Sequence, residues 1–465
     1  MKKLTLLLLA VVFAQLSFSQ LTIDGEFRTR FEYRDGYKKM LLENQMPMSI
    51  IAQRSRINFA YNTSKIETRI SLQDARIWGE DQWKTDNNGI GLHEAWAKYK
   101  FTRSIAIQAG RMELIYDDAR LFANGDWRTY GQSHDVARLI LFSKKHRLSI
   151  HMGAAINNNG TNANGGAYEL ETMNTAYDLN ATQYKNLAYL WVNKKFMSNK
   201  LNVSLIGVRD GFQLMNDSVT VIDTIKYRIT AGSFIEFKSG GLKLQAAYYM
   251  QTGENKQGKE LNSNFYNAYA SYKLGKSLNI GVGYDHYSGT DLNDNSQDNT
   301  FENLYGPGHK YLGNMDYFGI ASKHKAGIND LFAKLNYKIN SKNDIMIAYH
   351  MFSLDQEYIS FKENAITTLK QVDKKLGSEI DLVYTYKATK DVNFKVGVST
   401  LLYTESMELL KGVEAGKGMP AQFAWVQMLI KPNFFKSGSS QASSNVAVPE
   451  RDRPVIKPNR KEEKK

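Results

Sequence analysis

In the stretch Ile23-Asp24-Gly25-Glu26-Phe27-Arg28-Thr29-Arg30-Phe31-Glu32-Tyr33-Arg34, the residues Ile23, Gly25, Phe27, Thr29, Phe31 and Tyr33 alternate with charged neighbours. A period of two puts the two sets on opposite faces of an extended strand. The same alternation returns in Ile57-Phe59-Tyr61, Ile66-Thr68-Ile70-Leu72, Leu278-Ile280-Val282-Tyr284, Leu331-Ala333-Leu335-Tyr337, Ile380-Leu382-Tyr384-Tyr386 and Phe394-Val396-Val398. No proline stands between Pro47 and Pro307, as continuous ladders require, since proline removes a ladder donor.

Read throughout, the pattern predicts eighteen strands, near 21–34, 50–62, 65–78, 92–101, 104–114, 134–142, 147–157, 184–196, 201–212, 225–237, 242–253, 263–273, 278–289, 328–339, 343–354, 378–387, 392–404 and 420–434. Most have the length that a tilted strand needs to cross a bilayer, about twice that of strands in soluble sheets. Short connections such as Asn62-Thr63-Ser64 and Thr102-Arg103 alternate with long ones, among them 115–133, 158–183, 290–327 and 355–377. Tight turns at one end and long loops at the other are the signature of an outer-membrane β-barrel with its turns in the periplasm. Tyr, Trp and Phe near the strand ends, Trp78, Phe101, Tyr287 and Trp425 among them, suit interfacial girdles. The expected fold is all-β, a transmembrane antiparallel barrel over 20–435.

Composition narrows the rest. The 465 residues contain no Cys, which excludes a disulfide scaffold, a zinc-thiolate or iron–sulfur site and an acylated lipoprotein cysteine. Met1-Lys2-Lys3, the apolar run Leu4 to Ala14 and Ser17-Phe18-Ser19 read as a secretory signal peptide over 1–19. After it no apolar stretch is long enough for a membrane-spanning helix. The segment 436–465, rich in Ser, Pro, Lys and Glu, cannot bury a core and reads as a disordered periplasmic tail. Of the net charge of +13, the leader carries +2 and the tail +4, leaving +7 on the barrel. An exported chain with no basic helix, zinc site or aromatic platform is no nucleic-acid binder. The partners expected instead are the lipid bilayer, lipopolysaccharide, the outer-membrane assembly machinery and hydrophilic solutes.

An eighteen-stranded barrel is wide enough for an aqueous lumen. The polar parity fills it with Arg28, Arg30, Arg34, Arg54, Arg56, Arg69, Arg138, Arg228 and several lysines, interleaved with acids such as Glu26, Glu32 and Asp285. Rings of Arg and Lys favour anions in a pore. The same residues can instead brace the wall as ion pairs, the favoured role for any one of them, and the sequence leaves both roles open. Asp291, Asn293, Asn295 and Glu302 have the offsets of a calcium loop, but Ser296 replaces the glycine of its sharp turn and no flanking helices are evident, so a solvated acidic loop fits better and no metal is expected. No nucleophile motif, zinc-hydrolase pair or phosphate loop occurs; no enzyme activity and no cofactor is expected.

Gly110-Arg111-Met112-Glu113-Leu114, Asp117-Asp118-Ala119-Arg120-Leu121, Asp126-Trp127-Arg128 and His134-Asp135-Val136-Ala137-Arg138-Leu139 resemble, in order and spacing, the signature of the alginate export family of outer-membrane porins. Gly308-His309-Lys310 through Asp316 resembles a loop of members from Bacteroidetes-type bacteria. The resemblance implies a monomeric eighteen-stranded barrel that passes polyanionic sugar through an arginine-lined constriction, with Arg111, Arg120, Arg128 and Arg138 at the matching positions. His134 stands where the family has Phe, and the lumen acids dilute the positive field. The motif's charges suit either a constriction loop folded on itself or contact with cargo. The expected function is a porin-like outer-membrane channel for hydrophilic, preferentially anionic solutes. The alternatives are a dedicated exporter of an acidic exopolysaccharide and a non-conducting binding or adhesion barrel.

Overall fold

The computed structural model describes residues 20–80, 89–157, 184–215, 221–291, 296–319, 325–360 and 370–437. The expected leader at 1–19, and the expected tail at 436–465 from 438 onward, lie outside the described residues; the first expected tail residue, Lys436, instead ends a strand. Strands β1 (Gln20–Asp35), β2 (Met48–Asn62), β3 (Ile66–Ile77), β4 (Gly91–Lys100), β5 (Ile105–Met112), β6 (His134–Ser143), β7 (Leu148–Ile156), β8 (Asn186–Phe196) and β9 (Leu201–Met215) form the first half. The second half is β10 (Val221–Ser239), β11 (Leu242–Glu254), β12 (Glu260–Leu274), β13 (Leu278–Tyr287), β14 (Ile328–Lys338) and β15 (Asn343–Ser353), then β18 (Lys375–Lys387), β19 (Val392–Tyr403) and β20 (Ala421–Ile430). The small hairpin β16 (Tyr358–Ser360) and β17 (Lys370–Val372) sits in the loop between β15 and β18.

Every barrel strand pairs antiparallel with its sequence neighbours, and β20 returns to β1, with Phe27 opposite Ile430 and Asp35 opposite Gln422. The eighteen-strand barrel is therefore closed and has no open edge. All eighteen expected strands are present, most with ends shifted by one to three residues. The last one differs in kind. The expected strand 420–434 breaks at Lys431-Pro432, and β21 (Asn433–Lys436) resumes the pairing with the start of β1. Pro432 has no N–H for the ladder, so its carbonyl is used instead, accepting from Gly25 N at 2.9 Å.

The parity read from the sequence holds in space. Ile57, Ile70, Ile107, Leu205, Ile235, Leu244, Val282 and Leu382 point outward and are exposed, forming the belt that meets lipid. Arg28, Arg30, Arg54, Gln108, Arg228, Asp285 and Asp330 point inward and are buried. They are buried because the lumen is not empty. The loop 113–133 and the segment 296–319 both fold into the barrel, where Leu114, Tyr116, Phe122, Phe301, Met315 and Phe318 pack with wall residues Tyr189, Phe265, Tyr287 and Phe423 into a core. The loop after β19 carries α1 (Glu405–Leu410), whose Met407 and Leu410 join this core. The Glu408 carboxylate there accepts from Gly416 N and Gly418 N, each at 2.7 Å.

Candidate functional site

The lumen arginines are clamps as the structure stands. Two rows of them, one on β1 and one on β2, meet the tip of the 113–133 loop at Asp126-Trp127-Arg128. Arg28 donates to the carbonyls of Asp126 and of Arg128, the latter at 2.9 Å. Arg30 donates to the Trp127 carbonyl at 3.0 Å, stacks its guanidinium 3.6 Å from the Trp127 ring, and holds Glu32 at 2.6 Å. Arg54 lies between Glu26 and Asp126, with Asp126 Oδ1 at 2.5 Å. Arg56 reaches Gln73 at 2.7 Å and the Tyr130 carbonyl at 3.2 Å, and Arg69 reaches Glu94 at 2.6 Å.

On the opposite wall, Arg120 carries the loop across the lumen. Its guanidinium grips Asp285 at 2.6 and 2.7 Å, donates to Tyr287 Oη at 2.6 Å and lies 3.6 Å over the Tyr311 ring. Burial alone would depress its pKa, but Asp285, then Tyr287 and Tyr311, raise it well above the ordinary value, so it stays charged. Arg138 donates to Gln108 Oε1 and to Tyr116 Oη at 3.0 Å. Arg228 holds Asp210 at 2.7 Å and also Glu302. Arg111 takes the outward parity of β5 and pairs with Asp135 at 2.9 Å on the exposed face, away from the lumen where the family motif would put it.

The second inward segment docks on the first. Tyr305 exchanges backbone hydrogen bonds with Leu121 and Ala123, each at 3.0 Å, and its hydroxyl donates to Asp210 at 2.6 Å. His309 stacks on Trp127 with ring centroids 3.6 Å apart and bonds Asp316 at 2.7 Å. Tyr37 donates to the other Asp316 oxygen at 2.5 Å. Glu379 of β18 accepts from Asn314 N and from Met315 N, the latter at 2.8 Å. The two segments thus form one partition across the barrel.

Beside this partition a cavity of about 1000 Å³ remains. Lys38, Lys39, Arg56, Arg128, Lys310, Lys411 and Lys431 line it, against Glu26, Glu113, Asp117, Asp126 and Asp316. The acids are engaged: Glu26 and Asp126 by Arg54, Asp316 by Tyr37 and His309, and Asp117 by Trp191 Nε1 at 3.1 Å and Ser204. Arg128 and Lys39 have no carboxylate within 4.0 Å among the described residues. Of the ten arginines expected on the solute path, then, Arg56 and Arg128 line the open space, Arg28, Arg30, Arg54, Arg69, Arg120, Arg138 and Arg228 are locked into the walls and loops, and Arg111 lies on the outer face. The lysines 38, 39, 310 and 411 sit in long loops, where no parity rule assigns a direction, and only the Gly308 to Asp316 motif marked their neighbourhood.

For the calcium spacing, Asn293 and Asn295 lie outside the described residues, and Glu302 is engaged by Arg228. Among the described residues no group of three His, Asp or Glu side chains is arranged to hold a metal.

The alginate export sequence family matches residues 19–403. The chain belongs to the alginate export family. No curated protein matches it. Among solved structures it is similar to OccAB1 of Acinetobacter baumannii, with TM-score 0.58 and 13% identity over 89% of this chain and 97% of that one. It is likewise similar to OccK5 (OpdH) of Pseudomonas aeruginosa, with TM-score 0.56 and 13% identity over 89% and 98%. At that identity the likeness carries the fold alone. Family and fold together make this alginate export family barrel a porin-like channel for solutes in the outer membrane.

Proposed function

We propose that the channel prefers small anionic solutes and passes them one at a time through the cavity beside the loop partition. The observation that carries this reading is the pairing pattern inside the cavity. Its acids are engaged by fixed partners, whereas Arg128 and Lys39 face it without a carboxylate partner among the described residues. An anion entering there meets uncompensated positive charge, while a cation meets carboxylates already satisfied. A volume of about 1000 Å³ is that of a site for a compact, drug-sized solute. Export of an acidic exopolysaccharide would need the partition formed by Arg120, Trp127 and His309 to move aside, so the small-solute reading fits this arrangement better. The residues assigned to the path are Arg128, Arg56, Lys38, Lys39 and Lys310, and the remaining lumen arginines hold the partition in place.

Reversal potentials in planar bilayers under a potassium chloride gradient test the proposal. The wild-type channel should favour chloride, and Arg128→Ala with Lys39→Ala should shift the reversal potential towards potassium. A wild-type reversal potential already on the cation side, or one that the double variant leaves in place, would overturn it.

A further inference from the structure

The eight tight turns that join barrel strands at the periplasmic end carry a charge pattern that the lumen does not explain. Seven of them hold Lys or Arg at the tip: Lys65, Arg103, Lys200, Lys276, Lys342 and Lys390 singly, and the run Lys144-Lys145-His146-Arg147. All of these cations are exposed. Asp391 is the one acid in these turns, and among the described residues only Lys390 has a carboxylate within 4.0 Å, Asp391 at 3.9 Å. The described loops at the opposite end hold more acids than bases.

Inward-facing cations at the same mouth behave differently. Lys98 and Lys100 are paired with Glu67, Lys238 and Lys243 with Glu236, and Lys387 with Asp344. The entrance itself is therefore largely neutralised, and the uncompensated charge sits on the outer ring of turns.

Depth identifies what that ring meets. Tyr61, Phe101, Phe196, Tyr272, Tyr337 and Tyr386 are exposed on the outer face, two to five residues from the tips. At about 3.3 Å per residue, the cations lie within about 17 Å of an aromatic belt that sits at headgroup level. Lys194 also faces outward there, 5.1 Å from the Phe196 ring. Positive charge at and just beyond a headgroup belt attracts anionic lipid, with each Lys or Arg strengthening binding about fivefold at low salt.

We infer that the turn ring is a binding surface for anionic phospholipid of the periplasmic leaflet, with phosphatidylglycerol as the probe chemistry. The inference rests on the outer-membrane placement and is independent of which solute passes through the barrel. Five substitutions away from the cavity, Lys144→Gln, Lys145→Gln, Arg147→Gln, Lys200→Gln and Lys276→Gln, test it in the full-length chain. The barrel is reconstituted in mixed phosphatidylglycerol and phosphatidylethanolamine, extracted in mild detergent, and the retained lipid is read by native mass spectrometry. Wild type should retain phosphatidylglycerol preferentially. The variant should lose that preference by about fivefold or more, as should wild type at high salt, while conductance and heat-modifiable migration on gels show that the barrel still folds. No phosphatidylglycerol preference in wild type, or an equal preference in the variant, overturns the proposal. If soluble peptidoglycan fragments or a polyanionic sugar bind wild type but not the variant while lipid retention stays the same, the ring's partner is a polymer and the lipid assignment is wrong.

Discussion

At the residue scale, Asp117 and Asp126 lie in the same inward loop and titrate in opposite directions. Burial pushes the Asp117 carboxyl up to about 7, against the hydrogen bonds from Ser204 and Trp191, and Asp118 and Glu236 add to the rise. A carboxyl whose folded value lies above its ordinary 3.8 favours the docked loop most strongly below that ordinary value, and the contribution is lost as pH rises through about 7. Burial also pushes Asp126 up, but the Arg54 and Arg28 guanidiniums outweigh it and hold the carboxyl below its ordinary range. Its contribution is present above the ordinary value and fades only in strong acid. Fluorescence of Trp191, isolated by subtraction of a Trp191→Phe variant, should therefore titrate with a midpoint near 7. Asp117→Asn should flatten that step, because the amide keeps an acceptor for Trp191 and never ionises. A step that persists in the Asn variant assigns the titration elsewhere.

Arg120 makes a second case at this scale. With both partners fully buried, Arg120→Met leaves Asp285 as an uncompensated charge, at a cost of about 3–5 kcal/mol. Asp285→Asn added to it should recover most of that loss, since the orphaned charge is gone. The check is a double-mutant cycle on urea unfolding in vesicles, and strictly additive effects would show that the pair is not coupled.

At the element scale, the 113–133 loop is held by charge-assisted hydrogen bonds from β1 and β2 to its tip and by Arg120 on Asp285, while Leu114, Tyr116 and Phe122 bury its flanks. Such bonds contribute about 1.5–3 kcal/mol each. Asp126→Ala removes the loop carboxylate that Arg54 grips and leaves it only the carbonyls of Asp126 and Arg128, each at 3.4 Å, so it should raise the population of undocked loop by about tenfold or more. Single-channel recordings would show this as larger and noisier conductance, and quiet traces of wild-type size would show that the tip is held by other contacts. This element also marks the limit of the sequence reading. Alternation in β1 to β3 placed Arg28, Arg30, Arg54 and Arg56 on the inner face correctly, because a strand's period is a local property. What those arginines touch depends on where two long loops travel, and no local period encodes that path. The motif residues Asp126-Trp127-Arg128 and Gly308 to Asp316 were visible as unusual; that Trp127 and His309 stack on each other was not.

At the scale of the whole molecule, closure follows from strand count and proline placement, both legible in the chain, whereas the filled lumen does not. The break at Pro432 is hard to read from the sequence because the apolar run carries on through Phe434 and Phe435, and apolar continuity masks a missing ladder donor. The seam where β20 meets β1 offers the sharpest test of inside and outside. Val426 is exposed on the outer face opposite Phe31, and its neighbour Gln427 is buried facing the lumen between Arg30 and Lys395. A charge facing lipid near the bilayer midplane costs about 2–4 kcal/mol, so Val426→Lys should destabilise the barrel by that amount. Gln427→Glu, one residue away, places a carboxylate beside two cations and should be neutral or stabilising. Urea unfolding from vesicles measures both. Equal losses at the two positions would mean that adjacent residues share one environment, which a closed barrel with lipid outside and a polar lumen does not allow.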